Sequence, residues 1–134
     1  MSYDIFVLDI PQAVTRVEDV PADFVPRPLG PRQRIVEALR RAVPDLALDE
    51  TGWGSIEGPH YSIEVNLGAE DPISSFAFHV RGRETALFVI ADVLNDLGCR
   101  AVAPGAQTGI FSLDSDALEA YARWRAYRDH AVGE

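Results

Sequence analysis

The sequence predicts an α+β domain, with an antiparallel or mixed sheet that carries two helices on one face. Two neighbouring segments in the middle of the chain alternate apolar and polar residues, which is typical of a hairpin with one buried face. Longer segments with apolar residues at helical spacing lie on either side of that hairpin. The 134 residues form one domain, 1–134, and the predicted order β-α-β-β-β-α-β-β-α favours a ferredoxin-like core with extra strands and a C-terminal helix.

The first predicted strand covers residues 3–9 and contains four consecutive apolar residues, 5–8. Such a run predicts a central strand that is at least partly covered on both faces. We therefore expect the third helix, or a partner chain, to cover part of its second face. Residues 10–30 follow, with four prolines and no hydrophobic period, and predict a long ordered surface loop.

The first helix is predicted to begin at Pro31 and to end before Pro44. An ion pair between Glu37 and Arg41 is expected along it, because the two are one helical turn apart. The expected buried stripe consists of Ile35, Ala38, Leu39, Ala42 and Val43. The arginines off this stripe are expected to be solvated: Arg32, Arg34, Arg40 and Arg41.

Three strands are predicted next, the first beginning at residues 46–48 and followed by a turn or bulge at 51–54. The second and third form the hairpin. Its buried face is predicted to hold Tyr61, Ile63, Val65, Leu67, Phe76, Phe78 and Val80. Its polar face is predicted to hold Ser62, Glu64, Asn66, Ser75, Ala77, His79 and Arg81.

The second helix is predicted over residues 83–97, with Gly98 as a left-handed cap. Its stripe comprises Ala86, Leu87, Ile90, Val93, Leu94 and Leu97. Strands are predicted at 100–103 and 108–113. A third helix then runs from a cap at Asp114 or Ser115 to about Ala131, and its expected apolar stripe is Ala117, Ala120, Tyr121, Trp124 and Tyr127.

The chain carries a net charge of −9, and all of its 12 basic residues are arginine. This acidic excess repels polyphosphate, so no nucleic acid partner is predicted, whereas a basic protein would be attracted. The N-terminus shows no secretory signal pattern, and no apolar run is long enough to span a membrane. We therefore expect a cytoplasmic protein with no membrane partner. The single cysteine, Cys99, allows no internal disulfide.

No catalytic motif stands out, so whether the chain is an enzyme stays open, and a non-enzymatic role is favoured. Serine-hydrolase elbows and phosphate-binding loops are absent from the sequence, and Cys99 is expected to be a small buried side chain. No two of the three histidines share a helical turn. His60 and His79 would have to approach across the hairpin, and His130 lies near the C-terminus. No metal and no cofactor are predicted.

Five residues are candidate binding residues. Glu64, His79 and Arg81 share the polar strand face, where they form either a ligand site with proton exchange or a solvated salt-bridge cluster. Trp53, between two glycines, either packs in the core against the proline-rich loop or recognises a partner. Trp124 lies among arginines in the third helix, where it either packs or contacts another chain.

Three short segments resemble a loose class of small bacterial proteins without an agreed activity. They are Met1-Ser2-Tyr3-Asp4-Ile5, Leu97-Gly98-Cys99-Arg100-Ala101 and Thr108-Gly109-Ile110-Phe111. Members of that class open with such a strand and end a long helix with Leu-Gly before another strand. The resemblance assigns no catalytic residue, but some such acidic proteins are antitoxins or immunity partners, which implies neutralisation of a basic toxin.

Three functions therefore follow from the sequence. The first is a non-enzymatic, immunity-like binding protein with an acidic surface and a basic partner. The second is a small-molecule binding protein or enzyme that uses Glu64, His79 and Arg81. The third is a structural homodimerisation domain, in which the polar sheet face is the seam between two copies.

Overall fold

A computed structural model describes residues 2–131 of the chain, and the side chains of residues 2–129. The chain is an α+β protein with five strands in one antiparallel sheet and three helices, so the predicted class is confirmed and the sheet is not mixed. The strands are β1 (Tyr3–Leu8), β2 (Trp53–Gly58), β3 (Tyr61–Asn66), β4 (Ser75–Gly82) and β5 (Arg100–Val102). The helices are α1 (Arg32–Ala42), α2 (Thr85–Leu97) and α3 (Ser115–Ala131).

The sheet has the spatial order β2-β3-β4-β1-β5, with β4 at its centre. The predicted hairpin is β3 and β4, which pair antiparallel with Val65 opposite Phe78. On its other side β4 pairs with β1. Phe76 is 4% exposed and Phe78 is fully buried, so the aromatic side of the hairpin lies in the core as the alternation predicts.

The core lies between the sheet and the first two helices. All six predicted stripe residues of α2 are buried, and in α1 the buried residues are Ile35, Ala38 and Leu39. They belong to one continuous cluster with Ile5 and Val7 of β1 and Phe78 of β4. Burying each of the larger of these side chains (Val, Leu, Ile and Phe) contributes about 1.5–3 kcal/mol to folding, so this cluster is the main source of stability.

The predicted C-terminal end of α2 and the predicted N-terminal cap of α3 are confirmed. Gly98 adopts the left-handed conformation with φ of 67° and ends α2, which turns the chain into β5. Asp114 caps α3, because its carboxylate accepts a hydrogen bond of 2.8 Å from the backbone N–H of Ala117.

The third helix packs on the core side of β1. Tyr121 is fully buried, donates a hydrogen bond of 2.6 Å to the carbonyl of Gly82, and meets Tyr3 edge-on at 5.0 Å between ring centroids. Tyr3 points to the same side of β1 as Ile5, because side chains alternate along a strand. The expectation that α3 covers the second face of β1 is therefore wrong, and Phe6 on that face remains 38% exposed. Tyr127 is also outside the buried stripe, at 68% exposure.

Two of the predicted strands are wrong: one begins later than predicted, and the other does not form. Residues 46–48 form no strand, and only Leu48 makes a single bridge, to Gly54. The strand begins instead at Trp53, inside the predicted turn. The Asp49 carboxylate accepts hydrogen bonds from the N–H groups of Thr51 and Trp53, so the turn is complete before Trp53. Residues 108–113 likewise make one isolated bridge, between Ile110 and Val102, rather than a strand.

The proline-rich segment is a loop, as predicted, with a single turn of 3₁₀ helix at Val17–Asp19. The guanidinium of Arg100 holds its first part by donating to the carbonyls of Pro11 at 2.6 Å and Val14 at 2.7 Å. A backbone hydrogen bond from Val17 to Thr108, 2.8 Å long, fixes its middle. The loop is thus tied to the β5 end of the sheet.

The expected ion pair within α1 does not form. Arg41 pairs instead with Asp96 of α2, through two hydrogen bonds of 2.7 and 3.0 Å. A bidentate pair, in which a guanidinium donates two hydrogen bonds to one carboxylate, is stronger than a single ion pair between neighbouring turns of one helix. Arg41 therefore joins the two helices, which sequence spacing alone does not indicate.

Candidate functional site

The candidate site is the sheet face opposite the core, here called the open face. It carries the side chains that alternate with the buried ones on β1 to β4: Asp4, Phe6, Leu8, Trp53, Ser55, Glu57, Ser62, Glu64, Asn66, Ser75, Ala77, His79 and Arg81. Because strand partners directly opposite one another share a face, these side chains form rows across the sheet.

Two adjacent rows dominate the open face. The first, here the aromatic row, runs across four strands as Trp53, Asn66, Ala77 and Phe6. The second, here the ionic row, runs as Ser55, Glu64, His79 and Asp4. Trp53 and Phe6, both exposed, thus lie at the two ends of the aromatic row, and the ionic row lies directly beside it.

Two pairs of polar groups lie on the open face, Arg81 with Glu64 and His79 with Asp4, whereas Glu57 makes no ion pair within the described residues. Arg81 donates a hydrogen bond of 2.9 Å to Glu64, and the two side chains are 39% and 43% exposed. Such a half-exposed pair contributes less than about 1 kcal/mol to stability. It nevertheless occupies two of the three residues that the sequence suggested for ligand binding, Glu64 and Arg81.

His79 is held by a carboxylate that sequence reasoning did not identify. Its Nδ1 lies 2.8 Å from Asp4 Oδ1, and the Ser2 hydroxyl donates to the same carboxylate oxygen. Burial tends to raise the pKa of Asp4, but the hydrogen bonds from Ser2 and His79 and the positive charges nearby outweigh it and hold that pKa below its ordinary value. Among the described hydrogen bonds, none brings a hydroxyl or thiol to Nε2, the other ring nitrogen of His79.

Trp53 stacks on His79. The ring centroids are 5.9 Å apart and the ring planes are 20° from parallel, while the indole remains 40% exposed. Its partner is therefore the imidazole rather than the proline-rich loop, and it does not belong to the core. Its free ring face is available to a ligand or a partner.

A groove of about 400 Å³ lies beside the aromatic row and is lined by residues of the open face and of the loop between β3 and β4. Its floor includes Phe6, Leu8 and Ala77 of the open face. The rest of its lining comes from the end of β3, the loop after it and the start of β4: Asn66, residues 67–70, Ser74, Ser75 and Phe76. Glu64, His79 and Arg81 do not line it, so the groove and the ionic row are neighbouring but separate features.

Four of the five predicted binding residues come together on the open face: Trp53, Glu64, His79 and Arg81. The fifth, Trp124, does not. It packs against Tyr3 at 5.4 Å and Tyr121 at 5.5 Å on the core side, with the Arg128 guanidinium 6.0 Å from its ring. Asp4 and Phe6 were missed, although the alternation used for the hairpin places both on this face when it is extended to β1.

Within the described residues, neither Cys99 nor His60 adds a second site. Burial raises the pKa of the Cys99 thiol, which disfavours the reactive thiolate. His60 lies in the turn between β2 and β3, with φ of 67°, whereas His79 lies in the middle of β4. The side chain of His130 is outside the described residues. Within the described residues, no three His, Cys, Asp or Glu side chains are grouped as metal ligands.

Comparisons of the chain with protein-family models, with curated proteins and with solved structures give no match. Over the described residues, none of the helices combines the length and the apolar character needed to cross a bilayer.

Proposed function

We propose that this chain is a non-enzymatic protein-binding domain whose open face docks a basic protein, in the manner of an immunity protein that neutralises a basic toxin. The observation that carries this proposal is the aromatic row. It exposes Trp53 and Phe6, at 40% and 38%, beside charged groups that are already paired.

The arrangement of the open face is that of a protein interface. Interfaces have an apolar centre enriched in aromatic side chains and a polar rim. Here Phe6, Ala77 and Trp53 supply the apolar part, and the Arg81–Glu64 and His79–Asp4 pairs supply a polar border. Large aromatic side chains on rigid strands lose little conformational entropy on binding, which makes them effective anchors.

The charge of the chain supports a basic partner. The net charge is −9, and several arginines donate to main-chain carbonyls rather than to carboxylates, among them Arg34 with Leu97 and Arg100 with Pro11. Acidic residues outnumber basic ones by 21 to 12, and none of the described charged residues is buried, so acidic groups are in excess at the surface. An acidic surface speeds encounter with a basic protein and repels nucleic acid.

A small-molecule site or an enzyme built on Glu64, His79 and Arg81 has less support. Glu64 and Arg81 are joined to each other, and His79 is held by Asp4, so no free acid stands opposite a free base there. The groove of the open face does not include these three residues. The third alternative, a homodimer seam, uses the same face and is an outcome of the experiment below.

The strand order supports a ferredoxin-like core as part of this proposal. Without β2, the order β3-β4-β1-β5, with α1 and α2 as the two crossover helices, is that of a β-α-β-β-α-β fold. β2 then extends one edge and α3 follows at the end. Both crossover helices lie on the core side, which leaves the other face bare for a partner. A cytoplasmic setting is part of the same proposal.

Site-specific photo-crosslinking tests the proposal. Benzoylphenylalanine replaces Phe6 in one variant and, as a matched control, replaces Phe88, which is 47% exposed on α2. Irradiation in native lysate is expected to give an adduct with a basic protein from position 6 and not from position 88. Because the attraction is electrostatic, the adduct should weaken as salt is raised. Equal adducts from both positions, an acidic partner, or a second copy of the chain would overturn the proposal.

A further inference from the structure

We propose that the groove beside the aromatic row is a receptor for an extended aliphatic cation, namely the side chain of a lysine or an arginine. That this side chain belongs to the basic partner rests on the function proposed above. The groove itself is a separate feature with its own shape and charge, and both can be examined in the isolated chain.

The size and floor of the groove suit an alkyl chain. Its volume of about 400 Å³ lies within the range of small-ligand sites, which is roughly 300–1,000 Å³. Phe6, Leu8 and Ala77 make its floor apolar, and Phe6 is 38% exposed in the isolated chain. A methylene chain laid over these side chains would remove apolar surface from water, which contributes about 0.8 kcal/mol per buried CH₂ group.

The charge of the lining selects a cation. Glu70 is the one charged side chain that lines the groove, and within the described residues it makes no ion pair. The guanidinium of Arg32 lies beside the groove without lining it, and donates to the carbonyls of Gly68 at 2.8 Å and Glu70 at 3.5 Å. Arg100, opposite Leu8 in β5, is likewise outside the lining and donates to Pro11 and Val14. The lining itself therefore carries one negative charge and no positive one, which favours an ammonium or guanidinium over a carboxylate.

The loop between β3 and β4, which lines the groove, is held in place by hydrogen bonds within the chain. Ile73 exchanges backbone hydrogen bonds of 2.8 and 2.9 Å with the Leu29–Gly30 segment that leads into α1. Asp71 accepts a hydrogen bond of 3.0 Å from the backbone of Arg32, and Asn66 accepts one of 3.1 Å from Gly68. A wall that is already ordered adds little entropic cost to binding.

Titration with small probes tests the inference. n-Hexylammonium and hexanoate have the same chain length and opposite charge. With the isotope-labelled purified chain, hexylammonium is expected to shift the methyl resonances of Leu8 and Ala77 saturably, and hexanoate is not. Glu70→Gln should weaken hexylammonium binding about three-fold, the effect of one exposed ion pair. Glu57→Gln, which removes an acid of the open face outside the groove, should leave it unchanged.

Three results would overturn the inference: equal binding of hexanoate, no saturable shift at Leu8 and Ala77, or equal effects of the two glutamine variants. Glu70 is exposed, so its replacement is not expected to disturb folding. The two proposals can fail separately. If hexylammonium binds as described but crosslinking at position 6 captures no basic protein, the groove assignment stands and the proposed function falls. The reverse result overturns the groove assignment alone.

Discussion

The indole of Trp53 lies stacked on the imidazole of His79, with 5.9 Å between the ring centroids. The imidazole covers part of one face of the indole and keeps water from it. We therefore expect His79→Ala to shift the fluorescence maximum of Trp53 to longer wavelength, because the uncovered ring face then meets water.

The experiment uses a Trp124→Phe background, so that Trp53 is the only tryptophan in the chain. His60→Asn, which changes an exposed histidine in the turn between β2 and β3, is the control and should leave the maximum unchanged. Equal maxima with and without His79→Ala would show that the two rings are not in contact.

The Asp4 carboxylate should make stability dependent on acid pH. Its pKa is lower in the folded chain than in the unfolded chain, so the unfolded chain binds more protons in this range and stability rises with pH. The contribution is fully present above the ordinary pKa, near 3.8, and is lost as the pH falls below it. Because Asp4 is 39% exposed, we expect less than about 1 kcal/mol.

Urea denaturation at a series of pH values measures this. The free energy of unfolding of Asp4→Asn should fall less steeply below pH 4 than that of the unaltered chain. Parallel curves would mean that Asp4 is not preferentially ionised in the folded state.

Tyr121 should destabilise the fold at alkaline pH. Burial raises its pKa from 10.0 to about 12, so the folded chain keeps a proton that the unfolded chain releases. Between these two values the folded state binds more protons, and the free energy of unfolding falls by up to about 1.4 kcal/mol per pH unit. Tyr121→Phe should cost about 1 kcal/mol at neutral pH, through the lost hydrogen bond to Gly82, but should flatten the alkaline decline. An unchanged slope would contradict the burial of the phenol.

Opposite faces of the sheet should respond differently to the same substitution. Phe78→Ala, in the core, is expected to lower the free energy of unfolding by about 3–5 kcal/mol. Phe6→Ala, on the open face, should lower it by less than about 1 kcal/mol, because Phe6 is already 38% exposed. Similar losses for the two variants would show that the second face of β1 is covered.

The spacing of apolar residues and the position of a glycine correctly predicted individual strands and helix ends. The alternation over β3 and β4 correctly assigned Phe78 to the core and His79 to the opposite face, and Gly98 marked the end of α2. The apolar run 5–8 wrongly predicted that both faces of β1 are covered. Phe6 and Leu8 instead lie on the open face of the sheet. Asp49 closed the turn before Trp53 through side-chain hydrogen bonds that no periodicity reveals.

Contacts between residues that are far apart along the chain could not be predicted from the sequence, and the candidate site depends on such contacts. Asp4 reaches His79 only because β1 inserts next to β4, 75 residues apart along the chain. Arg41 likewise finds Asp96 only when α1 and α2 pack together. Residue types on one strand were predictable, whereas the rows across strands required the spatial order of the sheet.

Hydroxyl-radical footprinting of the purified chain, at low and high micromolar concentration, tests most directly that the sheet face opposite the core is open. Phe6 and Trp53 should be oxidised at both concentrations at rates comparable to that of the exposed Phe88, while Phe78 and Tyr121 remain protected. Protection of Phe6 and Trp53 to the level of Phe78 would contradict the account, because that face would then be covered by the chain itself or by a second copy.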